Sequence, residues 1–135
     1  MPHKMNLDFS SLEAGFEFPT KSFQLDRSLV DRYLIAVEEK NAGYTGSQLV
    51  PPAAVATFSL TALSQGLSFP PGSIHVSQRI IFKDTVQTGD TITCHARVSK
   101  ANKRGTMHFV TIALKVTTQD NREVQEGELV FILPQ

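Results

Sequence analysis

Thirteen consecutive residues, Ala53 to Gln65, pass without a single charged side chain. Pro52 precedes them and Gly66 follows, the residue types that open and close a helix. A helix with no charged face is a buried helix, so the rest of the chain must supply a wall around it. With 135 residues in all, enough remains for one such wall and little for anything else. Residues 1–135 therefore read as a single domain.

The wall follows at once. From Ser73 to Phe82, Ile74, Val76, Ile80 and Phe82 alternate with polar or outward residues. After Thr88-Gly89-Asp90, Ile92, Cys94, Ala96 and Val98 share one face of a second long strand. Asn102-Lys103-Arg104-Gly105 turns into a third, where Val110, Ile112, Leu114 and Val116 alternate. Asp120-Asn121-Arg122 turns into a fourth, from about Glu123 to Leu133. Four long strands joined by short turns predict an antiparallel meander whose apolar face needs a helix-shaped filler.

Upstream, Phe16, Phe18 and Phe23 suggest a short first strand, which Pro19 confines to an edge or bulge. Asp26 can cap a helix that starts near Arg27, with Val30, Leu34 and Val37 on one face. Asn41-Ala42-Gly43 predicts its end near Lys40. The class is α+β, a curved antiparallel sheet wrapped around a central helix. Phe58 and Leu60 are the expected helix residues against the sheet.

Composition narrows the function. Lys plus Arg equals Asp plus Glu at 13 each, which gives no electrostatic reason to expect a nucleic-acid or membrane partner. No apolar run approaches the ~20 residues of a membrane span, and Met1 to Asn6 has no apolar stretch behind it. The one cysteine, Cys94, lies in an alternating strand pattern and reads as a small buried hydrophobe in a reducing, cytoplasmic compartment. His75, His95 and His108 lie in three strands without the local pairing of a metal site, so no metal or cofactor is expected. Lys100, Lys103 and Arg104 read as a solvated hairpin tip.

Particular residues resemble the MaoC-like dehydratases and (R)-specific enoyl hydratases, whose fold is the hot-dog. Leu49-Val50-Pro51-Pro52-Ala53-Ala54 resembles the Pro-rich lead into their central helix, above all in the non-catalytic or N-terminal type subunits. Gly72 to Phe82, followed by Val86-Gln87-Thr88-Gly89-Asp90-Thr91, is similar to the family's strand and the turn after it. The resemblance implies an acyl-CoA or acyl-carrier-protein thioester as ligand. It also implies a homodimer, or a hetero-oligomer with another hot-dog subunit.

The family's hydratase motif, G-D-x-N-P-x-H, follows the first helix, and its Asp and His handle a water and the α-proton of the thioester. The best local match is Glu38-Glu39-Lys40-Asn41-Ala42-Gly43-Tyr44. In that register Glu39 stands where the Asp should be, Asn41 is kept, Ala42 replaces the Pro, and Tyr44 stands where the His should be. An imidazole with a pKa near ~6.5 shuttles protons at neutral pH, whereas a tyrosine near ~10 is a poor base. Glu for Asp also shifts the carboxylate by one methylene.

By this resemblance Glu39 and Tyr44 are the candidate catalytic pair of a degenerate motif. Asn41, Val50, Pro51, Pro52, Ala53, Ala54 and His75 are the candidate substrate contacts. Main-chain N–H groups at the start of the Pro52 helix would polarise the thioester carbonyl. The implied function is an acyl-thioester-binding subunit of a 3-hydroxyacyl-thioester dehydratase or enoyl hydratase. The alternative is a self-sufficient enoyl-CoA hydratase using Glu39 and Tyr44. A hot-dog thioesterase is the weaker reading, because such enzymes resemble one another in an acidic residue on the central helix, and Ala53 to Gln65 holds none. A ligand-sensing regulator would need a DNA-binding segment that this sequence lacks.

Overall fold

The computed structural model describes residues 12–41, 44, 48–66 and 69–134. The elements run β1 (Lys21–Gln24), α1 (Arg27–Ala36), β2 (Leu49–Val50), α2 (Pro52–Gly66), β3 (Ile74–Phe82), β4 (Val86–Gln87), β5 (Thr91–Arg104), β6 (Met107–Thr118) and β7 (Glu123–Pro134). The uncharged stretch forms one helix between the expected Pro and Gly. Ala54, Val55, Ser59 and Leu63 are buried on it.

Its wall is a five-stranded antiparallel sheet in the order β1-β5-β6-β7-β3. Ile92, Cys94, Ala96 and Val98 of β5 and Val110, Ile112, Leu114 and Val116 of β6 are all buried on its inner face. Those alternations were read correctly from sequence. Two clusters fill the space between sheet and helix. Ala54 and Val55 join Val50, Val86, Ile92 and Val116 near the start of α2. Leu63 joins Cys94, Ala96, Val98, Ile112 and Leu129 near its end. A curved sheet around a central helix is the hot-dog arrangement.

Several expectations need correction. The first long strand does not open a four-strand meander: β3 pairs with β7, on the far side of the sheet from β5. The chain between them makes no tight hairpin. It forms β4, which pairs with β2 and buries Val86 in the core, and so carries the chain across. A bulge between His75 and Ser77 also breaks the alternation within β3. His75, Gln78, Ile80 and Phe82 stand opposite Phe131, Leu129, Gly127 and Gln125, whereas Ile74 stands opposite Ile132 on the other face. Ile74 and Ile80 therefore do not share a side.

The early segment is shorter than expected too. Only Lys21–Gln24 is strand, with Glu17 making a single bridge to Arg97 on the other side of Pro19. Asp26 caps α1, its Oδ1 accepting the Leu29 N–H at 2.8 Å. The helix ends at Ala36 rather than near Lys40, and Val37 beyond it is exposed. Glu38 and Glu39 would place two carboxylates at the negative end of the helix dipole, and the chain turns before them. Glu38 adopts the left-handed conformation, φ 56°.

The central helix is also not buried all round in one chain. Ala53, Thr57, Thr61 and Ser64 form an exposed, uncharged stripe, and Phe58 and Leu60 are half-buried. No helix among the described residues is long and apolar enough to cross a membrane.

Candidate functional site

Two separate places gather the candidate residues. The first is the turn after α1 together with the start of α2. Glu39 keeps its N–H on the Leu34 carbonyl at 2.9 Å, and its carboxylate accepts the Asn41 N–H at 2.8 Å. The Tyr44 N–H returns to the Asn41 carbonyl at 3.0 Å. Tyr44 is half-buried against the cluster that holds Val50, Ala54 and Val86. Ala42 and Gly43 of the same motif lie outside the described residues.

The start of α2 is held against this turn from two sides. β2 and β4 pair Leu49 with Gln87 and Val50 with Val86, which fixes the lead into Pro51. From the sheet, the Gln125 amide donates to the Pro52 carbonyl at 2.8 Å. The Pro51 carbonyl accepts the N–H groups of Ala54 and Val55, at 2.9 and 3.3 Å. Pro52 has no N–H to offer. Among the described residues, the N–H of Ala53, exposed at the helix start, makes no backbone hydrogen bond. An N–H in this first turn lies at the positive end of the helix dipole.

The second place is a cleft of about 350 Å³ between the later turns of α2 and the β3–β7 edge. Leu60, Leu63, Leu129, Phe69 and Phe131 give it an apolar lining, and His75 and Gln78 enter from β3. The His75 ring stacks on Phe131 with centroids 4.6 Å apart, and Phe69 stacks on Phe131 at 4.7 Å. The 15 residues of α2 span about 22 Å. The helix start and the cleft therefore occupy different portions of α2. The structure brings Tyr44, Val50 and Ala54 together, and it leaves His75 with the cleft. Gln78 was missed from sequence although it alternates in step with Ile80 and Phe82; the bulge brings His75 onto the same face.

Other candidates have plain structural roles. Cys94 is buried, its thiol pushed up to about 11 by burial, with Sγ donating to the Ser59 carbonyl at 3.8 Å. His95 Nε2 lies 3.2 Å from Thr117 Oγ1, and His108 is buried in β6. Among the described residues, no group of three or more His, Cys, Asp or Glu could hold a metal ion.

Comparison with known proteins agrees with this architecture. No curated protein sequence matches the chain. The (R)-hydratase from A. caviae involved in PHA biosynthesis superposes with a TM-score of 0.75 at 25% identity, covering 92% of this chain and 98% of that one. Unliganded R-hydratase PhaJ1 from Pseudomonas aeruginosa gives 0.76 at 19% identity, covering 93% and 84%. The C-terminally truncated HadBC (3R-hydroxyacyl-ACP dehydratase) complex from Mycobacterium tuberculosis gives 0.66 at 16%, covering 87% and 93%. The family model for the FAS1-like dehydratase domain region matches residues 13–127. On that match and this fold, the chain belongs to the FAS1-like dehydratase region family of MaoC-like hot-dog proteins.

Proposed function

We propose that the chain is an acyl-thioester-binding subunit of a 3-hydroxyacyl-thioester dehydratase or enoyl hydratase. It works beside a hot-dog subunit that carries the complete Asp/His pair. The observation that carries this reading is the turn after α1. The Glu39 carboxylate is engaged with the Asn41 N–H, and Tyr44 is packed against the core. A general base must meet its proton within hydrogen-bond reach; here one oxygen of the Glu39 carboxylate holds the turn together, and a tyrosine near ~10 is a poor base at neutral pH.

What remains serves binding. The Ala53 N–H can take the thioester carbonyl, with Val50, Pro51, Pro52 and Ala54 fixing its position. The acyl chain would run along α2 into the cleft beside His75. The exposed β3 edge and the uncharged stripe of α2 support pairing with a second hot-dog, either another copy or a different subunit. The HadBC neighbour, a complex of a 3R-hydroxyacyl-ACP dehydratase, supports the two-subunit form. A single buried thiol supports a reducing, cytoplasmic setting.

One observation favours a self-sufficient hydratase: Glu39 and Tyr44 lie on the same reverse turn, joined through Asn41. Assaying trans-2-enoyl-CoA hydration with the chain alone, then with hot-dog proteins encoded beside it, separates the two readings. The expected result is thioester binding without turnover alone, with activity appearing only beside a partner that has an intact Asp/His motif. Robust hydration by the chain alone, lost in Glu39→Gln, would overturn the subunit reading.

A further inference from the structure

The cleft is built from more polar residues than its chemistry suggests. Thr57, Thr61 and Ser64 face it, but each hydroxyl donates to its own helix: Thr57 to the Ala53 carbonyl and Thr61 to that of Thr57, both at 2.9 Å, and Ser64 to that of Thr61 at 3.0 Å. A ligand meets methyl and methylene groups there, together with hydroxyls that have no proton left to give. With Leu60, Leu63, Leu129, Phe69 and Phe131, this is a wall for hydrocarbon.

One side differs, and the backbone is bent to make it so. In an unbroken strand, His75 and Ser77 would share a face. The bulge between them instead sets His75 opposite Phe131 and Gln78 opposite Leu129, so that both line the cleft. Bulges that re-aim a side chain are concentrated next to functional sites. His75 Nε2 lies 3.0 Å from the Ser77 carbonyl. A carbonyl only accepts, so Nε2 carries a proton, and in the neutral ring Nδ1 is the acceptor. The stack on Phe131 holds the ring in place. The Gln78 amide makes no hydrogen bond within the described residues and offers both a donor and an acceptor.

We infer that His75 and Gln78 form a polar reading edge on an otherwise hydrocarbon cleft, selecting acyl chains that carry a hydroxyl or carbonyl beyond the reacting carbons. This rests on the cleft being the acyl site. A plain chain fills the apolar wall and leaves the Gln78 amide without a partner. A chain with a suitably placed hydroxyl satisfies that amide, donates to His75 Nδ1, and keeps the same apolar contacts.

Titration calorimetry tests it, using the chain's own assembly with butanoyl-, hexanoyl- and octanoyl-CoA and their ω-hydroxylated counterparts. At one chain length the hydroxylated ligand should bind about three- to tenfold more tightly than the plain one, the ratio for one neutral hydrogen bond. Gln78→Leu should erase or reverse that preference, with plain chains binding more tightly because no amide is then left without a partner. His75→Phe, which keeps a ring on Phe131, should weaken the preference without unfolding the edge. If plain chains bind better at every length and Gln78→Leu changes nothing, the reading edge is overturned while the acyl site stands. If no acyl-CoA of either kind binds, the acyl-site reading fails and the inference goes with it.

Discussion

The side-chain amide of Gln125, buried in β7, donates to the carbonyl of Pro52 and so fastens the first turn of the central helix to the sheet. It is a polar anchor in an apolar interior, placed one residue before the exposed Ala53 N–H. Gln125→Leu removes the donor and leaves the Pro52 carbonyl without it, which should cost about 1–3 kcal/mol in urea unfolding. Acyl-thioester affinity should fall as well, because the helix start is no longer pinned. Unchanged stability and affinity would mean that the anchor does not position the site.

Burial ranks the helix residues differently from their size. Leu63 is buried in the cluster near the end of α2, whereas Leu60 is half-buried at the cleft. Leu63→Ala should cost about 2–5 kcal/mol and Leu60→Ala clearly less. The Leu60 variant should instead show its main effect on acyl-chain binding. Denaturation curves for the two variants, compared with calorimetry on the folded proteins, check the ranking.

Cys94 sets an alkaline limit on stability. Burial raises its thiol from 9.0 to about 11 in the folded chain, so the native state holds a proton that the unfolded chain releases. The neutral thiol's contribution is intact below pH 9 and lost as pH rises through about 11. Between those limits the parent should lose about 2–3 kcal/mol more stability than Cys94→Ala, at 1.36 kcal/mol per pKa unit. Parallel loss in both proteins would show that other groups govern that range.

The β3 edge predicts the assembly state. Ile74, Val76 and Phe82 are 57%, 50% and 52% exposed on a strand whose outer edge has no partner among the described residues, an edge that pairing would cover. Light scattering should give a species at least twice 14.9 kDa. The double substitution Ile74→Lys and Val76→Lys should shift it towards single chains. A stable monomer of the parent at micromolar concentration would contradict the pairing.

Features carried by local chemistry were legible in the sequence. The bounds of α2 follow from Pro52, Gly66 and the absence of charge between them. The inner faces of β5 and β6 follow from strict alternation. What was not legible depends on partners distant in sequence. Nothing in Ile74 to Phe82 says that β7 rather than β5 lies beside it, nor that one extra residue after His75 flips the following side chains. The end of α1 was readable in part: two adjacent glutamates at a helix C-terminus are a stop signal, overlooked because Asn41-Ala42-Gly43 offered a louder one. At the candidate site, the motif register located Glu39 and Tyr44 on one turn. It could not reveal that one oxygen of the carboxylate accepts a main-chain N–H.

The placement of β3 also sets an order of events in time. Strands β5, β6 and β7 follow one another through short turns and can zip up as neighbours, whereas β3 must wait for a β7 made far later in the chain. The cleft, whose rim is β3, therefore forms after the β5-β6-β7 meander rather than with it. With a partner strand on only one side, β3 also opens more readily in local unfolding than the strands inside the sheet. Whatever occupies the cleft acts as a latch on the whole edge, so ligand and folded edge stabilise each other by mass action.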